Sequence, residues 1–213
     1  MREILTRGLE ALGVDLDRLP ALEEFSRRLL ERNQVMNLTA ITDPAEVATL
    51  HFLDSLCLLP MAEWTGKAVV DVGTGAGFPG LPLRILEPTI RLTLLDSLGK
   101  RVQFLESVCR ELGLTDVSCI HSRAVAALPV LCELCLPLVR PGGKFLAMKS
   151  VESDQELASA GHAIATLGGA VAAVRDYVIP GTQVRHRLII VEKAKKTPEK
   201  YPRMFAKIKK NPL

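Results

Sequence analysis

Between Ala21 and Ala40 the apolar residues Leu22, Phe25, Leu29 and Met36 recur near helical spacing with charges between them, which predicts an amphipathic helix. A second helix start is predicted in "TDPAEVATLHFLDSLCLL", where Asp43 is a cap, Pro44 takes the first helical position and Glu46 the first turn. Residues 1–66 therefore read as a helical extension. From Ala68 the period changes. "AVVDVG" and "RLTLLD" are short apolar runs that end in an acid, "DVSCIH" is a weaker third, and "KFLAMKS", "AVAAVRDYVI" and "RLIIVEK" follow. Helical patterns lie between them, such as "GKRVQFLESVCRELGL" with Val102, Leu105, Cys109 and Leu112 on one face. "SDQE" at Ser153 to Glu156 has the form of a capping box, opening a helix that Gly168 and Gly169 close. Strands alternating with helices predict a parallel sheet covered on both faces.

The densest chemistry lies in "VVDVGTGAGFPG", Val69 to Gly80. A buried strand that runs into closely spaced glycines lets the backbone approach a ligand, because no Cβ intervenes and positive φ is permitted. Two registers fit. Gly75, Gly77 and Gly80 form the dinucleotide fingerprint, while Asp71 followed by Gly73, Gly75 and Gly77 forms D-x-G-x-G-x-G. Asp71 at the strand end and the prolines Pro79 and Pro82, which lack an N–H, favour the second register and a ligand without phosphates. The next strand ends at Asp96, nineteen residues after Gly77. There an acid either accepts hydrogen bonds from the two ribose hydroxyls of an adenosine or caps the helix starting near Leu98.

Composition narrows the class. With 213 residues, 48% of them hydrophobic, and charges of both signs, the chain suits a globular domain with an extension. No segment reaches the roughly 18 apolar residues of a membrane span, and the N-terminus has no signal-peptide pattern, so no membrane partner is expected and a cytoplasmic location is. The cysteines Cys57, Cys109, Cys119, Cys132 and Cys135 are odd in number and suit reduced core thiols. "CELC" (Cys132 to Cys135) has ligand spacing without a second pair, so no metal is assigned. From Lys193 onward eight Lys/Arg face one Glu, a basic tail that is either solvated or an arm for phosphates, with Tyr201 and Phe205 available to stack on bases.

Taken together, "DVGTGAGFPGLPL", "LLDSLGKRVQFLE", "NLTAITDPAEVATLHFLDSL", "SRAVAALPVLCELCLPLVRPGGKFLAMKS" and "TPEKYPR" resemble the family of bacterial 16S ribosomal RNA guanine-N7 methyltransferases, the RsmG or GidB group. The resemblance spans nearly the whole chain. It implies a Rossmann-like class I S-adenosylmethionine-dependent α/β fold: a mostly parallel seven-stranded sheet with helices on both faces, plus the N-terminal helical extension. The division would be 1–66 extension, 67–192 methyltransferase domain and 193–213 basic tail. The implied reaction transfers methyl from S-adenosyl-L-methionine to N7 of a guanine in 16S rRNA of the 30S subunit; separately from the resemblance, a monomer is expected. By similarity Gly73 and Phe78 belong to the cofactor pocket, with Asp71, Gly75, Gly77 and Asp96, and Arg123 faces cofactor and substrate. No general base is expected, because N7 has a free lone pair, so Arg123 is given an orienting role; Lys100, Arg101 and Lys149 are candidate contacts to RNA phosphates. His51 and Asp54 are weaker candidates near the cofactor loop, Asn37 fits a turn, and the Arg185 to Arg187 cluster stays unassigned.

At one place the chain departs from the family. There the third strand is followed by a loop and a further strand before the "SRA" segment, whereas here "DVSCIH" runs directly into "SRAVAAL". A segment of about fifteen to twenty-five residues near His121 and Ser122 is expected to be missing. An NAD-dependent oxidoreductase would need a proton donor such as Tyr-x-x-x-Lys, and neither Tyr177 nor Tyr201 has a lysine four residues on. A non-catalytic RNA-binding protein would not need the acids and glycines of a cofactor pocket.

Overall fold

A computed structural model describes residues 1–121 and 127–213, in two compact units: Met1–Arg123 with Ile179–Gln183, and Ala124–Val178 with Val184–Leu213. In the first unit, α1 (Arg2–Ala11) and α2 (Leu19–Met36) are followed by a short α3 (Pro44–Glu46), which widens into a π-helical stretch (Val47–Leu53) and returns to α geometry in α4 (Asp54–Leu56). The predicted start at Asp43 forms: its carboxylate accepts from the amides of Ala45 and Glu46 at 2.8 and 3.0 Å. Asn37 takes up the left-handed conformation (φ 41°) that ends α2. The apolar stripe of α2 is the core of this unit, with Leu22, Phe25 and Leu29 fully buried alongside Leu5, Leu9, Phe52 and Leu56. Each such side chain contributes about 1.5–3 kcal/mol by leaving water.

The sheet of this unit holds β1 (Ala68–Val72), β2 (Arg91–Asp96) and β3 (Val117–His121), all parallel in the order β1-β2-β3, with α5 (Gly80–Leu86) and α6 (Gly99–Glu111) as crossovers. Alternation along β2 shows which face is covered: Leu92, Leu94 and Asp96 are buried, whereas Arg91, Thr93 and Leu95 are not. The covered face meets α5 and α6, whose Val102, Leu105 and Cys109 are buried as their spacing predicts.

The second unit starts at α7 (Leu128–Cys135). Its sheet is antiparallel, β4-β6-β5, made of β4 (Lys144–Ser150), β6 (Arg185–Lys193) and β5 (Gly169–Val178), with α8 (Asp154–Thr166) between β4 and β5 and α9 (Phe205–Lys210) after β6. The expected seven-stranded, mostly parallel sheet is thus corrected: the described residues hold six strands in two three-stranded sheets, one of them antiparallel. The physical reason is length, since only residues 122–127 separate β3 from α7 and a parallel strand needs a crossover of about a dozen residues or more. The "SDQE" box does not form either. Ser153 makes no capping bond, and Glu156 is drawn to the Leu128 amide at the start of α7 and to Lys149.

The basic tail is held. Arg203 forks onto Glu133 of α7 at 2.8 and 2.6 Å, and its amide adds a third bond at 2.9 Å; Glu133 is fully buried, as is Ile208 of α9. Against burial, which alone would raise it, the Arg203 guanidinium holds the Glu133 carboxyl below its ordinary value. Lys193 is buried too, its ammonium bonded to Leu136 O and Thr197 Oγ1. No helix among the described residues is long and apolar enough to cross a membrane.

Candidate active site

The glycine loop leaves the carboxyl end of β1 with three residues in the positive-φ region, Gly73 (81°), Gly75 (60°) and Gly77 (108°), and a cis Phe78–Pro79 bond. These glycines serve different purposes. A Cβ on Gly77 would meet Leu81 Cδ1 at 2.7 Å, Leu105 Cδ2 at 3.0 Å and Phe25 Cζ at 3.1 Å, and one on Gly80 would meet Asp71 Oδ2 and Leu94 Cδ2, both at 2.8 Å. Those two positions need glycine so that the loop can seat on the protein. Around Gly75 a Cβ would meet nothing within 4 Å, so the loop is open on that side.

The two acids build this loop as well as facing it. Asp71 Oδ2 accepts from Gly80 N at 2.9 Å, tying β1 to the first turn of α5. Burial pushes the Asp71 carboxyl up to about 6, against the pull of the Thr74 hydroxyl and the Gly80 amide. Asp96, 1% exposed at the end of β2, accepts from Gly75 N through Oδ2 and from Leu98 N through Oδ1, each at 2.9 Å, with Arg101 Nη1 3.6 Å away. It therefore organises the turn into α6 and stands beside the open side of Gly75.

Counting amides shows what the loop can hold. Gly73 N and Thr74 N donate to Leu95 O; Gly77 N and Phe78 N donate to Thr74 O; Leu81 N donates to Gly77 O; Gly75 N and Gly80 N serve the two carboxylates; residue 79 is proline. Only the Ala76 amide is left. A pyrophosphate cradle needs several free N–H groups at once, so the loop suits a nucleoside ligand better than a dinucleotide.

Phe78, half-buried, lies in an aromatic stack. Its ring lies 5.2 Å from Phe25 at 22° and 4.8 Å from His51 at 18°, with Phe52 edge-on at 5.1 Å. The N-terminal helices are thereby clamped to the loop. His51 Nε2 is 2.8 Å from Thr39 Oγ1, and Asn33 shapes the Thr39 turn, its Oδ1 accepting from the amides of Leu38 and Thr39 and its Nδ2 donating to Thr39 O. Burial keeps the His51 imidazole below its ordinary value against the charge of Asp54, so the ring is neutral at pH 7. This Asn33–Thr39–His51–Phe78 chain is absent from the residues singled out by spacing, apart from His51 and Phe78 themselves, because its members come from four separate stretches.

Asp71, Gly73, Gly75, Gly77, Phe78 and Asp96 thus converge at the carboxyl ends of β1 and β2. Arg123 lies outside the described residues. Lys100 is exposed in the first turn of α6, whereas Arg101 turns toward Asp96. Lys149, in the other unit, is 16% exposed and paired with Glu156 at 2.8 Å. Arg187 is similarly committed, to Asp176 at 2.6 Å and Asp154 at 2.7 Å. Cys132 and Cys135 are both buried on α7, and burial pushes the Cys132 thiol up to about 12.

Comparison with known proteins adds an independent line. The family model for GidB, rRNA small subunit methyltransferase G, matches residues 18–185. Ribosomal RNA small subunit methyltransferase G of Alkaliphilus metalliredigens is 42% identical over 99% of this chain and 98% of its own length, and that of Acetivibrio thermocellus 39% identical over 100% and 97%. Among solved structures, M. jannaschii TYW2 in complex with AdoMet aligns with a TM-score of 0.53 at 11% identity, over 67% of this chain and 76% of that one, a likeness of fold alone.

Proposed function

The chain belongs to the rRNA small subunit methyltransferase G family, and from that membership we propose that it transfers a methyl group from S-adenosyl-L-methionine to N7 of a guanine in the 16S rRNA of the small ribosomal subunit. The observation that carries the reading is the loop itself: glycines that bring the backbone close, an open side at Gly75, a buried acid beside it, and no set of free amides for a pyrophosphate. These residues fit an adenosyl group. Gly73 and Gly75 would lie against it and Asp96 would take its ribose hydroxyls, exchanging the Gly75 amide for them. The cofactor supplies an electrophilic methyl on a sulfonium.

What the protein's residues must do is correspondingly modest. The lone pair on guanine N7 needs no base, so the chain's task is to hold the purine edge in line with the methyl and to exclude water. Phe78 and His51 serve that end by fixing the loop against α2 and the π-helical stretch, with the neutral imidazole adding no charge near an electrophile. Arg123 is proposed to orient the substrate, and Lys100 with the exposed lysines of the tail to meet RNA phosphates. The test is transfer of labelled methyl to unmodified 30S subunits and to naked 16S RNA, with N7-methylguanine mapped by chemical cleavage. A single N7 site is the expected result. Cofactor binding without transfer to either RNA would refute the assignment of substrate.

A further inference from the structure

The chain has five cysteines, and two of them meet in space. Cys109 lies in the last turn of α6, on the face buried against the sheet. Cys119 is the third residue of β3, in register with Leu94 of β2, whose side chain is fully buried on the face that α5 and α6 cover. Successive residues of a strand alternate between faces, so Ser118 and Ile120 are exposed on the far side while Cys119 turns toward α6. There its sulfur accepts a hydrogen bond from the Cys109 thiol. Among the described residues β3 pairs with β2 alone, and Cys119 is accordingly half-buried where the other four cysteines are buried.

The two thiols are unequal. Donation from Cys109 holds the Cys119 thiol below its ordinary value, against burial and the charge of Glu106, whereas that same bond together with burial holds Cys109 above its own. Arg84, 5% exposed on α5, supplies a positive charge that opposes the rise at Cys109. Its Nη2 donates to Thr115 O at 2.8 Å, in the turn between α6 and β3, and its Nε has no partner among the described residues. Burial pushes the thiols of Cys57 and Cys132 up to about 12, which leaves both inert. An accessible thiolate beside a buried, protonated thiol is the arrangement of an attacking and a resolving cysteine.

We propose that Cys119 and Cys109 form a dithiol site for hydrogen peroxide, with Cys119 as the attacking and Cys109 as the resolving sulfur, whose product is a disulfide that staples α6 to β3. The Cys119 thiolate attacks one peroxide oxygen; the S–O bond forms as the O–O bond breaks, leaving a sulfenic acid and hydroxide. Cys109 yields its proton to that hydroxide, giving water, and its thiolate attacks the Cys119 sulfur. The S–S bond forms as the S–O bond breaks, and the departing hydroxide takes up the proton that Cys119 first released. In sum two thiols lose two electrons and two protons, and the peroxide is reduced to two waters. Arg84 assists the second step: once Cys119 is a neutral sulfenic acid, the charge that raised Cys109 is gone and the guanidinium favours its thiolate. The bond fixes the helix that begins beside Asp96, within the unit that carries the glycine loop, and a dithiol reductant restores the free pair. Nothing in this chemistry depends on the methyl acceptor.

The test treats the full chain, reduced and then freed of reductant, with hydrogen peroxide, blocks the remaining thiols with iodoacetamide and maps the cysteines by mass spectrometry. The expected result is a pair of peptides joined through Cys109 and Cys119, with two of the five thiols lost and both recovered in dithiothreitol. Cys109→Ser removes the resolving sulfur, and the Cys119 sulfenic acid trapped by dimedone is then expected to rise at least about tenfold over the parent. In Cys119→Ser the buried Cys109 is expected to stay reduced. A second measurement needs no variant: iodoacetamide on the native, reduced protein should label Cys119 about tenfold faster than Cys109. A dimedone adduct at Cys119 of the parent with no linked peptide would overturn the proposal. So would a disulfide between Cys132 and Cys135 or between two chains in its place, or five intact thiols at a peroxide concentration that consumes N-acetylcysteine.

Discussion

Gly75 and Gly77 are the same residue in the same loop, and the structure assigns them opposite tolerances to one added methyl group. In Gly75→Ala the new Cβ meets nothing within 4 Å, so the cost to folding is the left-handed backbone alone, φ +60°, which is about 1–2 kcal/mol for a residue with a side chain. In Gly77→Ala the backbone at φ +108° is less hospitable still, and the methyl lands at 2.7 Å from Leu81, 3.0 Å from Leu105 and 3.1 Å from Phe25. Backbone strain of about 1–3 kcal/mol and crowding of about 1–3 kcal/mol then combine to roughly 4 kcal/mol. For a chain of this size that corresponds to a fall of about 8–16 °C in Tm. Cofactor binding reverses the order. With the adenosyl group placed against Gly75 as proposed, the new methyl occupies its place, and a loss of at least about tenfold in affinity, 1.4 kcal/mol, is expected even though the protein is folded. Trp64, the single tryptophan, is buried in the same unit with its Nε1–H donated to Leu58 O at 3.1 Å, so its fluorescence in urea reports the stability of the unit that carries the loop. Titration calorimetry with S-adenosyl-L-methionine reports the site. A Gly75→Ala protein that binds cofactor as tightly as the parent, or is as unstable as Gly77→Ala, would refute the division of labour between these glycines.

The acid of β1 gives a prediction with a sign. Burial holds Asp71 at about 6 in the folded protein against an ordinary value near 4, so the folded state retains a proton that the unfolded chain releases. Stability is then fully present below about pH 4 and falls by about 2–3 kcal/mol as pH rises to about 6. Asp71→Asn keeps an acceptor for Gly80 N; its Trp64-monitored stability should exceed the parent's at pH 7.5, and the gap should close by pH 4. Arg203→Ala strands the buried Glu133 carboxylate and should cost the second unit about 3–5 kcal/mol, seen as rapid tryptic cleavage within residues 193–213; unchanged cleavage would show the tail is held by other means. Because the tail is part of that unit, its role in RNA binding is better tested by charge than by deletion. Replacing exposed Lys195, Lys196, Lys200, Lys207, Lys209 and Lys210 with Gln should flatten the salt dependence of RNA affinity by up to about 0.7–0.9 per lost phosphate contact while cofactor binding persists. An unaltered slope would remove the tail from the RNA interface.

What could be read from the sequence follows the range of the forces involved. The Asp43 cap, the left-handed Asn37 and the buried stripe of α6 were legible because the partners lie within a turn of one another. The acid–glycine spacing likewise placed Asp71 and Asp96 at the carboxyl ends of neighbouring strands. The "SDQE" box misled for the opposite reason: Glu156 has better partners in the Leu128 amide and the Lys149 ammonium, 28 and 7 residues away. Lys149, a candidate phosphate contact in the sequence, is paired with that same Glu156 at 2.8 Å, a partner that spacing does not announce. The aromatic stack joins Phe25, His51 and Phe78 across more than fifty positions, and no local period announces such a contact. The seven-stranded sheet came from the resemblance, and the length available after His121 does not accommodate it.

The π-helical stretch from Val47 to Leu53 has a genetic corollary. A wide turn of this kind holds one residue more than an α-helix would, and such stretches concentrate at functional sites. Loss of one codon there would be nearly invisible by composition or hydropathy and would let the helix run on regularly. Because the wide turn is what absorbs the extra residue, the helix on either side would stay in phase, and the side chains inside the stretch would change direction, the imidazole at position 51 that stacks on Phe78 among them. In-frame single-codon deletions within 47–53 should therefore behave as loss-of-function alleles of a protein that still folds.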